Sequence, residues 1–426
     1  MADGRLAAAR ARAAHAVERA RGPIEGRADR LTLRVLAAFQ AERLAATDFS
    51  PSSGYGYDAV GRDKLERVWA RVLGAEAALV RPHIASGTAA VAHMVFGATA
   101  PGDEIVVATG QPYDTVATVL EGAPGSLAEW RVTSRVLPFA QGTDPRALAR
   151  ALGRRTRVVL IQRSRGYDTR PALDVGRIAA MAEAVHRARP DALVAIDNCY
   201  GEFVEEREPT AAGADLAAGS WTKNPGGGLA TTGGYVAGRA AAVARAAARL
   251  TAPGQGAEVG AVPEGQRLAF QGLLMAPGAV AQALLAGVYA SALFAALGFD
   301  TEPAPGEGER SDIVTSVRLG RRDLVLAALA AIQAASPVDS AAVPEAADMP
   351  GYPDPVAMAA GTFVQGGGLE LSADAPMRPP WQLFVQGGLS LAAARHALDR
   401  AAEAVLDVQS EAGADALEEE AADGRI

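Results

Sequence analysis

Four short runs with apolar centres most constrain the fold of this chain. They are EIVVAT (104–109), RVVLIQ (157–162), ALVAID (192–197) and TGGYVAG (232–238). Between the second and third runs we predict a helix at about 174–188, because Asp174 stands near its start and Pro190 beyond its end. Strands that are apolar on both faces and are joined by helices indicate a mainly parallel sheet covered on both sides.

The length of 426 residues favours two domains. We predict a helical N-terminal segment over residues 1–60, a large domain over 61–300 and a smaller C-terminal α/β domain over 301–409. The Gly- and Pro-rich stretch PAPGEGERSD (303–312) marks the boundary between the two domains.

The charge of the chain is concentrated at its C-terminal end. Residues 401–426 hold eight acidic residues and one arginine, and the whole chain has a formal net charge of −8. The rest of the chain is therefore near neutral and has no basic face for nucleic acid. We predict that residues 410–426 form a solvated, partly disordered acidic tail rather than a binding tail.

Composition also bears on location and metals. The single cysteine, Cys199, excludes disulfides and cysteine-rich zinc sites and favours the cytoplasm. The five histidines show no ligand spacing, so no metal site is predicted. The Ala- and Arg-rich N-terminus is typical of an amphipathic helix rather than a signal peptide, and no membrane span is predicted.

The segment GSWTKNPGGG (219–228) holds the most informative residue. The chain has 41 basic residues, of which only Lys64 and Lys223 are lysines. A lysine amine can form an imine at neutral pH and an arginine cannot. The hydroxyls of Ser220 and Thr222 suit a phosphate, and the following glycines allow close approach of the backbone. The alternative is a Gly-rich surface loop with an incidental lysine.

Two other sites are weak signals when each is taken alone. Asp197 ends an apolar strand, where α/β folds place ligand-binding groups, although an Asp there can simply cap the next turn. Ser86-Gly87-Thr88 opens a helix, whose first N–H groups attract anions, although the plain alternative is a helix cap.

Because of their order and spacing, these three sites together form one stronger signal. The Ser86–Thr88 turn is followed about 110 residues later by Asp197, and Lys223 comes 26 residues after that. This arrangement resembles the fold-type-I enzymes that use pyridoxal 5'-phosphate (PLP). In these enzymes a carboxylate keeps the pyridine nitrogen protonated, so that the ring withdraws electrons. Ser-x-Thr-Lys is the form found in their cysteine and methionine metabolism group.

Longer motifs narrow the resemblance to one bacterial family. The motifs are GYGYDAVGRDKLE (54–66), QPYDTV (111–116), SWTKNPGGGLATTGGY (220–235) and MPGYPDPVAMAAGTFVQGGGLELSADAPMRPPW (349–381). Together they resemble the methionine gamma-lyase-like family, also called aluminium resistance proteins, over roughly residues 30–405. The resemblance implies a large domain with a mainly parallel seven-stranded sheet and a smaller C-terminal α/β domain.

The resemblance also implies roles for individual residues. Lys223 would bind the aldehyde of PLP, and Asp197 would pair with its pyridine nitrogen. Tyr113 stands where related lyases stack an aromatic ring on the cofactor and use it as a proton donor, unless it is an ordinary loop tyrosine. The phosphate would be held by a larger set, namely Ser86, Gly87, Thr88, Ser220 and Thr222.

Three further residues also have places in the resemblance. Tyr57 and Arg62 resemble the pair that related enzymes lend across a dimer interface to the partner's phosphate, although their spacing departs from the usual Tyr-x-Arg. Residues 1–60 would then include the dimer arm. Arg378 is the best candidate for the substrate carboxylate, because a guanidinium binds that group in two places, and a structural salt bridge is the alternative.

The resemblance implies a PLP-dependent carbon–sulfur lyase that acts on a sulfur amino acid and works as a homodimer or homotetramer. Its products would be a 2-oxo acid, ammonia and a thiol. An aminotransferase or a side-chain exchange synthase is an alternative, because PLP supports all of these reactions. A non-catalytic PLP-binding stress protein is the third alternative.

Overall fold

The computed structural model describes residues 2–422, with side chains for residues 4–411, and contacts divide them into two compact units. The large unit comprises Glu25–Ala281 and Arg310–Asp312. The small unit comprises the chain up to Ile24, Gln282–Glu309, and the chain from Ile313 onward.

The regular elements of the described residues are numbered in chain order. The helices are α1 (Ala2–Ala41), α2 (Val60–Leu73), α3 (Gly87–Ala98), α4 (Asp114–Leu120), α5 (Phe139–Gly142), α6 (Pro145–Ala151), α7 (Val175–Ala188), α8 (Ala240–Leu250), α9 (Arg267–Ala296), α10 (Arg322–Ala334) and α11 (Leu391–Ala422). The strands are β1 (Ala77–Arg81), β2 (Glu104–Val107), β3 (Thr133–Val136), β4 (Thr156–Gln162), β5 (Leu193–Asp197), β6 (Leu216–Ser220), β7 (Gly234–Gly238), β8 (Asp300–Glu302), β9 (Thr315–Arg318), β10 (Val356–Ala359), β11 (Ser372–Pro376) and β12 (Gln382–Gln386).

The large unit is built on a seven-stranded sheet in the order β1-β7-β6-β5-β4-β2-β3. Within this sheet β7 runs antiparallel to both of its neighbours, while the other pairs are parallel. The predicted fold-type-I architecture with a mainly parallel seven-stranded sheet is therefore confirmed. The four predicted apolar runs correspond to β2, β4, β5 and β7, and the helix predicted at 174–188 is α7.

Both faces of this sheet are buried, as its apolar strands predict. Along β2, Ile105 and Val107 belong to one hydrophobic cluster, which includes residues of α3 and α8. Val106 belongs to a second cluster, which includes residues of α7. Alternate side chains of one strand thus enter different cores, because successive residues point to opposite faces. Burial on both sides leaves the ends of the strands as the natural place for a ligand site.

The small unit has its own sheet and core. Its five strands are antiparallel in the order β10-β11-β12-β9-β8. Leu329 of α10 and Leu398 of α11 are buried in the same cluster as Val317 and Leu383 of the sheet. The structure therefore has a smaller unit with helices on an antiparallel sheet, in the region where a C-terminal α/β domain is predicted.

The contacts divide the chain differently from the predicted boundaries at 60 and 300. The first part of α1 groups with the C-terminal residues, because Leu6, Ala9, Ala13 and Val17 are buried in the core of the small unit. An amphipathic pattern predicts that a helix has a buried face, but it does not identify the core that receives this face.

The acidic segment 410–426 is helical over the part that is described. Helix α11 continues through it as far as Ala422, and residues 423–426 lie outside the described residues. The physical reason is the composition of the segment, in which Ala, Leu and Glu are strong helix formers.

One helix among the described residues, Arg267–Ala296, is long and apolar enough to cross a membrane. Its most apolar stretch is 78% buried inside the protein, which is typical of a core helix.

The place of α1 in the small unit can be tested by replacing alanine with aspartate at one buried and one exposed position of the helix. Ala13 is fully buried in the core of the small unit, whereas Ala11 on the same helix is exposed. We expect Ala13→Asp to lower the free energy of unfolding by about 3 kcal/mol, because it buries an unpaired carboxylate. Ala11→Asp should change it by less than about 1 kcal/mol. Urea unfolding measures both values, and equal effects of the two variants would contradict the assignment.

Candidate functional site

The ends of three parallel strands meet at one edge of the large sheet. Gln162, the last residue of β4, is paired with Asp197, the last residue of β5. Asp197 is in turn paired with Ala218 of β6, which ends two residues later at Ser220. The parallel register therefore brings Gln162, Asp197 and the segment that begins at Ser220 to the same edge.

The segment that carries Lys223 leaves this edge as a tight turn. After Ser220 the chain passes through Trp221 and Lys223 into a single turn of 3₁₀ helix, Asn224–Gly226. The buried ring of Trp221 packs edge-on against Trp69 of α2, and Asn224 donates a hydrogen bond to the carbonyl of Glu202 at 2.9 Å. These contacts fix the backbone on both sides of Lys223.

A narrow cradle forms where α3 approaches β6. Ser86 caps α3, and its hydroxyl accepts a hydrogen bond from the N–H of Ala89 at 3.1 Å. A Cβ atom added to Gly87 would lie 3.0 Å from Sγ of Cys199 and 3.3 Å from Cβ of Ser220. Glycine at this position therefore allows the start of α3 to approach Ser220 and Cys199 closely.

The polar groups of the cradle suit an anion. The hydroxyls of Ser220 and Thr222 lie 2.9 Å apart, and the first N–H groups of α3 have no acceptor within the helix. The hydroxyl of Thr88 shares a hydrogen bond with that of Thr115 at 2.6 Å, and the backbone N–H of Thr88 lies in the first turn of α3. Backbone N–H groups and hydroxyls at a helix N-terminus form an environment that binds phosphate.

Asp197 presents a buried carboxylate at the same edge. Only 8% of the residue is exposed, and one of its oxygens accepts a hydrogen bond from the N–H of Cys199 at 3.2 Å. Burial raises the pKa of Asp197 above its ordinary value, while Cys199 and the charge of Lys223 counteract this rise. A buried carboxylate is stabilised by a cationic partner, which is the kind of group that a protonated ring nitrogen provides.

Lys223 faces an aromatic side chain that the sequence analysis does not identify. Its Nζ lies 3.9 Å from the centre of the Tyr200 ring. Burial lowers the pKa of the amine, but Tyr200, Cys199 and Asp197 and a hydrogen bond with Tyr200 outweigh burial, so that the pKa is raised above its ordinary value. Lys223 and Asp197 thus interact within one site, as their predicted roles require.

Tyr113 is held beside the same edge by the end of β4. Its backbone N–H donates a hydrogen bond to the side-chain oxygen of Gln162 at 2.7 Å, and its ring packs on Tyr167 with centroids 5.1 Å apart. Gln162 is the strand neighbour of Asp197, so Tyr113 lies at the edge that carries the carboxylate. Gln162 is a positioning residue that the sequence analysis missed, although its place at the end of an apolar strand was a usable signal.

A buried polar network lies next to the turn that follows Asp197. Tyr235 donates a hydrogen bond to Glu202 at 2.8 Å, and Asn198 donates to Glu208 at 3.1 Å. Burial raises the pKa of Glu202 to about 8. Since Asn224 is bonded to the carbonyl of Glu202, this network supports the Lys223 turn from the interior.

Arg62 and Tyr57 have different surroundings. Arg62 is buried, and its guanidinium donates to the carbonyls of Gly56 and Gly260 of its own chain at 2.7 and 3.2 Å. The predicted role of Arg62 at a partner's phosphate would require these bonds to break. Tyr57 is 60% exposed, and its ring packs at a tilt against that of Tyr55. Its side chain is therefore accessible to a second copy of the chain.

Arg378 belongs to the small unit and is bonded to a carboxylate there. Its guanidinium donates to Asp354 at 2.7 Å, and both side chains are about one third exposed. This is the salt bridge that the sequence analysis names as the alternative. The role of Arg378 toward a substrate carboxylate stays a prediction.

The residues of this edge fit pyridoxal phosphate. The cradle of Gly87, Ser220 and Thr222 offers N–H and hydroxyl groups to a phosphate, the buried carboxylate of Asp197 offers a partner to a cationic nitrogen, and Lys223 offers an amine. Among the residues whose side chains are described, no group of three or more His, Cys, Asp or Glu side chains could hold a metal ion.

Comparisons with known proteins match nearly the whole chain. The methionine gamma-lyase family profile matches residues 6–406. The uncharacterized protein YnbB of Bacillus subtilis is 42% identical over 393 residues, which cover 91% of this chain and 93% of that protein.

Solved structures of similar proteins agree in fold. A Listeria monocytogenes protein with the provisional name cystathionine beta-lyase involved in aluminum resistance is 42% identical, with a TM-score of 0.89 over 93% of this chain and 99% of that one. A Clostridium novyi protein named carbon-sulfur lyase involved in aluminum resistance is 37% identical, with a TM-score of 0.88 over 93% and 95%. The fold alone is shared with the pyridoxal-5'-phosphate dependent protein YhfS of Escherichia coli, at 16% identity and a TM-score of 0.62 over 89% and 96%.

The role of the narrow cradle at Gly87 can be tested by adding a methyl group there. We expect Gly87→Ala to weaken the binding of pyridoxal phosphate by about 10-fold, because the new methyl crowds Cys199 and Ser220. Because overpacking can also cost about 1–3 kcal/mol of stability, thermal unfolding of the same sample shows whether the variant remains folded during the titration. Fluorescence titration with the cofactor measures the affinity.

Two matched variants control this experiment. Cys199→Ala combined with Gly87→Ala removes the nearest crowding atom and should restore part of the lost affinity. Gly278→Ala, where an added Cβ would have no atom within 4 Å, should leave the affinity unchanged. Unaltered binding in the Gly87→Ala protein would show that the cofactor does not use this cradle.

Proposed function

Because the chain belongs to the methionine gamma-lyase family, we propose that it is a pyridoxal-phosphate-dependent carbon–sulfur lyase acting on a sulfur-containing amino acid. The observation that carries the proposal is the meeting of the buried carboxylate of Asp197 and the amine of Lys223 at the edge that also holds the Gly87 cradle. The products would be a 2-oxo acid, ammonia and a thiol.

The large unit offers matched groups for each part of the cofactor. When bound, pyridoxal phosphate supplies an electron sink for reactions at the α-carbon of an amino acid. The hydroxyls of Ser220 and Thr222 and the N–H groups of Gly87 and Thr88 would hold its phosphate, with Ser86 fixing the turn as the helix cap. Asp197 would pair with the ring nitrogen and keep it charged, since burial makes an unpartnered carboxylate costly.

Two side chains would move protons in the reaction. Lys223 Nζ would take the proton from the substrate α-carbon, and the hydroxyl of Tyr113 would give a proton to the departing sulfur. The fixed position of Tyr113 supports this role, because Gln162 holds its backbone and Tyr167 packs against its ring. A thiolate leaves more readily when an acid protonates it, so a positioned tyrosine favours elimination of a sulfur group.

The remaining predictions enter the proposal as expectations. We propose that the enzyme is a cytoplasmic homodimer or homotetramer and that the exposed Tyr57 reaches the phosphate of a partner. Arg378 would release Asp354, its present partner, and bind the substrate carboxylate in its place. Arg62 would hold the segment that carries Tyr57, since it is bonded to Gly56, and its role at a partner's phosphate stays a prediction.

The proposed reaction differs from transamination in its stoichiometry. We expect the protein to turn over repeatedly on at least one of methionine, homocysteine, cysteine and cystathionine, releasing thiol and ammonia in equal amounts with the 2-oxo acid. The physical reason is that elimination regenerates the cofactor without a second substrate. Coupled assays for 2-oxo acid, thiol and ammonia on the same sample measure the ratio.

The rival functions give other results in this assay. An aminotransferase would stop after one equivalent and would resume only when a 2-oxo acid is added. A non-catalytic cofactor-binding protein would give no product under either condition. The lyase proposal is falsified if the four amino acids give no thiol while added 2-oxo acids support multiple turnovers.

The role of Asp197 is tested separately from its contribution to stability. We expect Asp197→Asn to lower turnover by roughly 100-fold or more, because a neutral amide cannot keep the ring nitrogen protonated. The variant should still hold the cofactor through Lys223, which borohydride reduction and peptide mapping would measure. Asp191→Asn, at an exposed position before β5, is the matched control and should keep full activity. Near-normal turnover in the Asp197→Asn protein would count against the proposed role.

A further inference from the structure

The turn after Asp197 holds Tyr200 in an unusual conformation. Tyr200 has a φ of 70°, in the left-handed region that non-glycine residues seldom adopt. Such a conformation costs about 1–2 kcal/mol and persists where surrounding contacts enforce it. We therefore expect surrounding contacts to hold the backbone at position 200, and this backbone to set where the Tyr200 side chain lies.

The constraint comes from the buried guanidinium of Arg163. This group donates hydrogen bonds to the side chain of Asn198 at 2.9 Å and to the carbonyl of Gly201 at 2.8 Å. It therefore holds the turn on both sides of Tyr200. The turn is closed by a hydrogen bond from the N–H of Gly201 to the carbonyl of Asn198 at 2.9 Å. Arg163 thus maintains the left-handed geometry at Tyr200.

The result of this geometry is contact between two side chains. The Nζ atom of Lys223 lies 3.9 Å from the centre of the Tyr200 ring, and the two side chains also share a hydrogen bond. An ammonium over an aromatic face is stabilised by about 0.5–2 kcal/mol. A hydroxyl oxygen that accepts from the ammonium adds to this stabilisation, because hydrogen bonds to charged groups are stronger than neutral ones.

We propose that Tyr200 is a catalytic residue that receives the amine of Lys223 whenever this amine is free, and that stabilises its protonated form. This inference rests on the proposed function, in which Lys223 takes a proton from the substrate α-carbon. In that step the Cα–H bond would break, its electron pair would pass to the electron sink that the cofactor supplies, Lys223 Nζ would gain the proton, and Tyr200 would accept a hydrogen bond from Nζ while keeping its own hydroxyl proton. Neither the sequence motif around Lys223 nor that around Asp197 assigns a role to Tyr200.

Other groups also act on Lys223, and their effects on its pKa have to be distinguished from the effect of Tyr200. Asp197 and Cys199 act on the same amine, and all three raise its pKa, whereas burial lowers it. Tyr200 is the one that contributes both a ring and a hydroxyl. Removing its hydroxyl should therefore leave the contributions of Asp197 and Cys199 in place and lower the pKa of Lys223.

The test uses the fact that the chain has only two lysines, Lys64 and Lys223. The full-length protein is freed of any bound carbonyl cofactor with hydroxylamine and is labelled with acetic anhydride over a range of pH. Mass spectrometry then gives the labelling rate of Lys223 relative to Lys64 in the same molecule. This readout follows the free amine and does not depend on turnover.

Tyr200→Phe keeps the ring and removes the hydroxyl. We expect its Lys223 to be labelled about 10-fold faster than that of the unaltered protein at the same pH, because a larger fraction of the amine is unprotonated. Tyr200→Asn removes the ring as well, and asparagine tolerates the left-handed conformation, so this variant should fold and give a larger increase. Tyr55→Phe, at an exposed tyrosine, should give no change.

The outcomes distinguish this inference from the proposed function. Faster labelling of Lys223 in both Tyr200 variants, with unaltered Lys64, supports the inference even if no sulfur amino acid is cleaved. An unchanged ratio in the Tyr200→Phe and Tyr200→Asn proteins would overturn it, whatever reaction the enzyme performs. Thermal unfolding of the same samples shows whether a change comes from local chemistry or from loss of the fold.

Discussion

The site depends on the parallel register of β4, β5 and β6. Because these strands end at one level, Gln162, Asp197 and the segment from Ser220 reach the same edge of the sheet. Gln162 then positions Tyr113, and the turn after Ser220 brings Lys223 back toward Asp197. A shift of one residue in β5 would turn Asp197 to the other face of the sheet, since side chains alternate along a strand. The core residues that fix this register therefore also fix the chemistry.

The sequence predicts a strand where the central residues are β-branched. It does not predict one where the residues are small. β2, β4 and β5 contain Val and Ile at their centres, and the sequence identifies all three. β6 reads LAAGS, and Ala and Gly have little preference for strands, so its place between β5 and β7 comes from tertiary contacts. The first 24 residues show the same limit, because their amphipathic pattern does not identify the core in which Ala13 is buried.

The site could be predicted in so far as its residues have chemical signatures. Lys223 is marked by its rarity and Asp197 by its position at the end of an apolar strand, and the structure places the two in one site. Tyr200 has no such mark, because its role follows from a left-handed turn that Arg163 maintains from a distant part of the sequence. Arg62 is different, since its position in a motif predicts a role at a phosphate while its guanidinium is bonded to carbonyls of its own chain and to Asp63.

The buried cations of the large unit differ in how firmly they are held. Arg81 donates to the carbonyls of Val259 and Ala257, and Arg170 donates to those of Gln162 and Ser164. These bonds go to backbone carbonyls, so moving either guanidinium would cost about 1–3 kcal/mol for each buried carbonyl that it leaves without a donor. The amine of Lys223 instead faces the Tyr200 ring, a contact of about 0.5–2 kcal/mol, and shares a hydrogen bond with the hydroxyl of Tyr200. A reactive amine has to leave its resting position in every turnover, and among these three residues Lys223 is the one whose surroundings permit this at small cost.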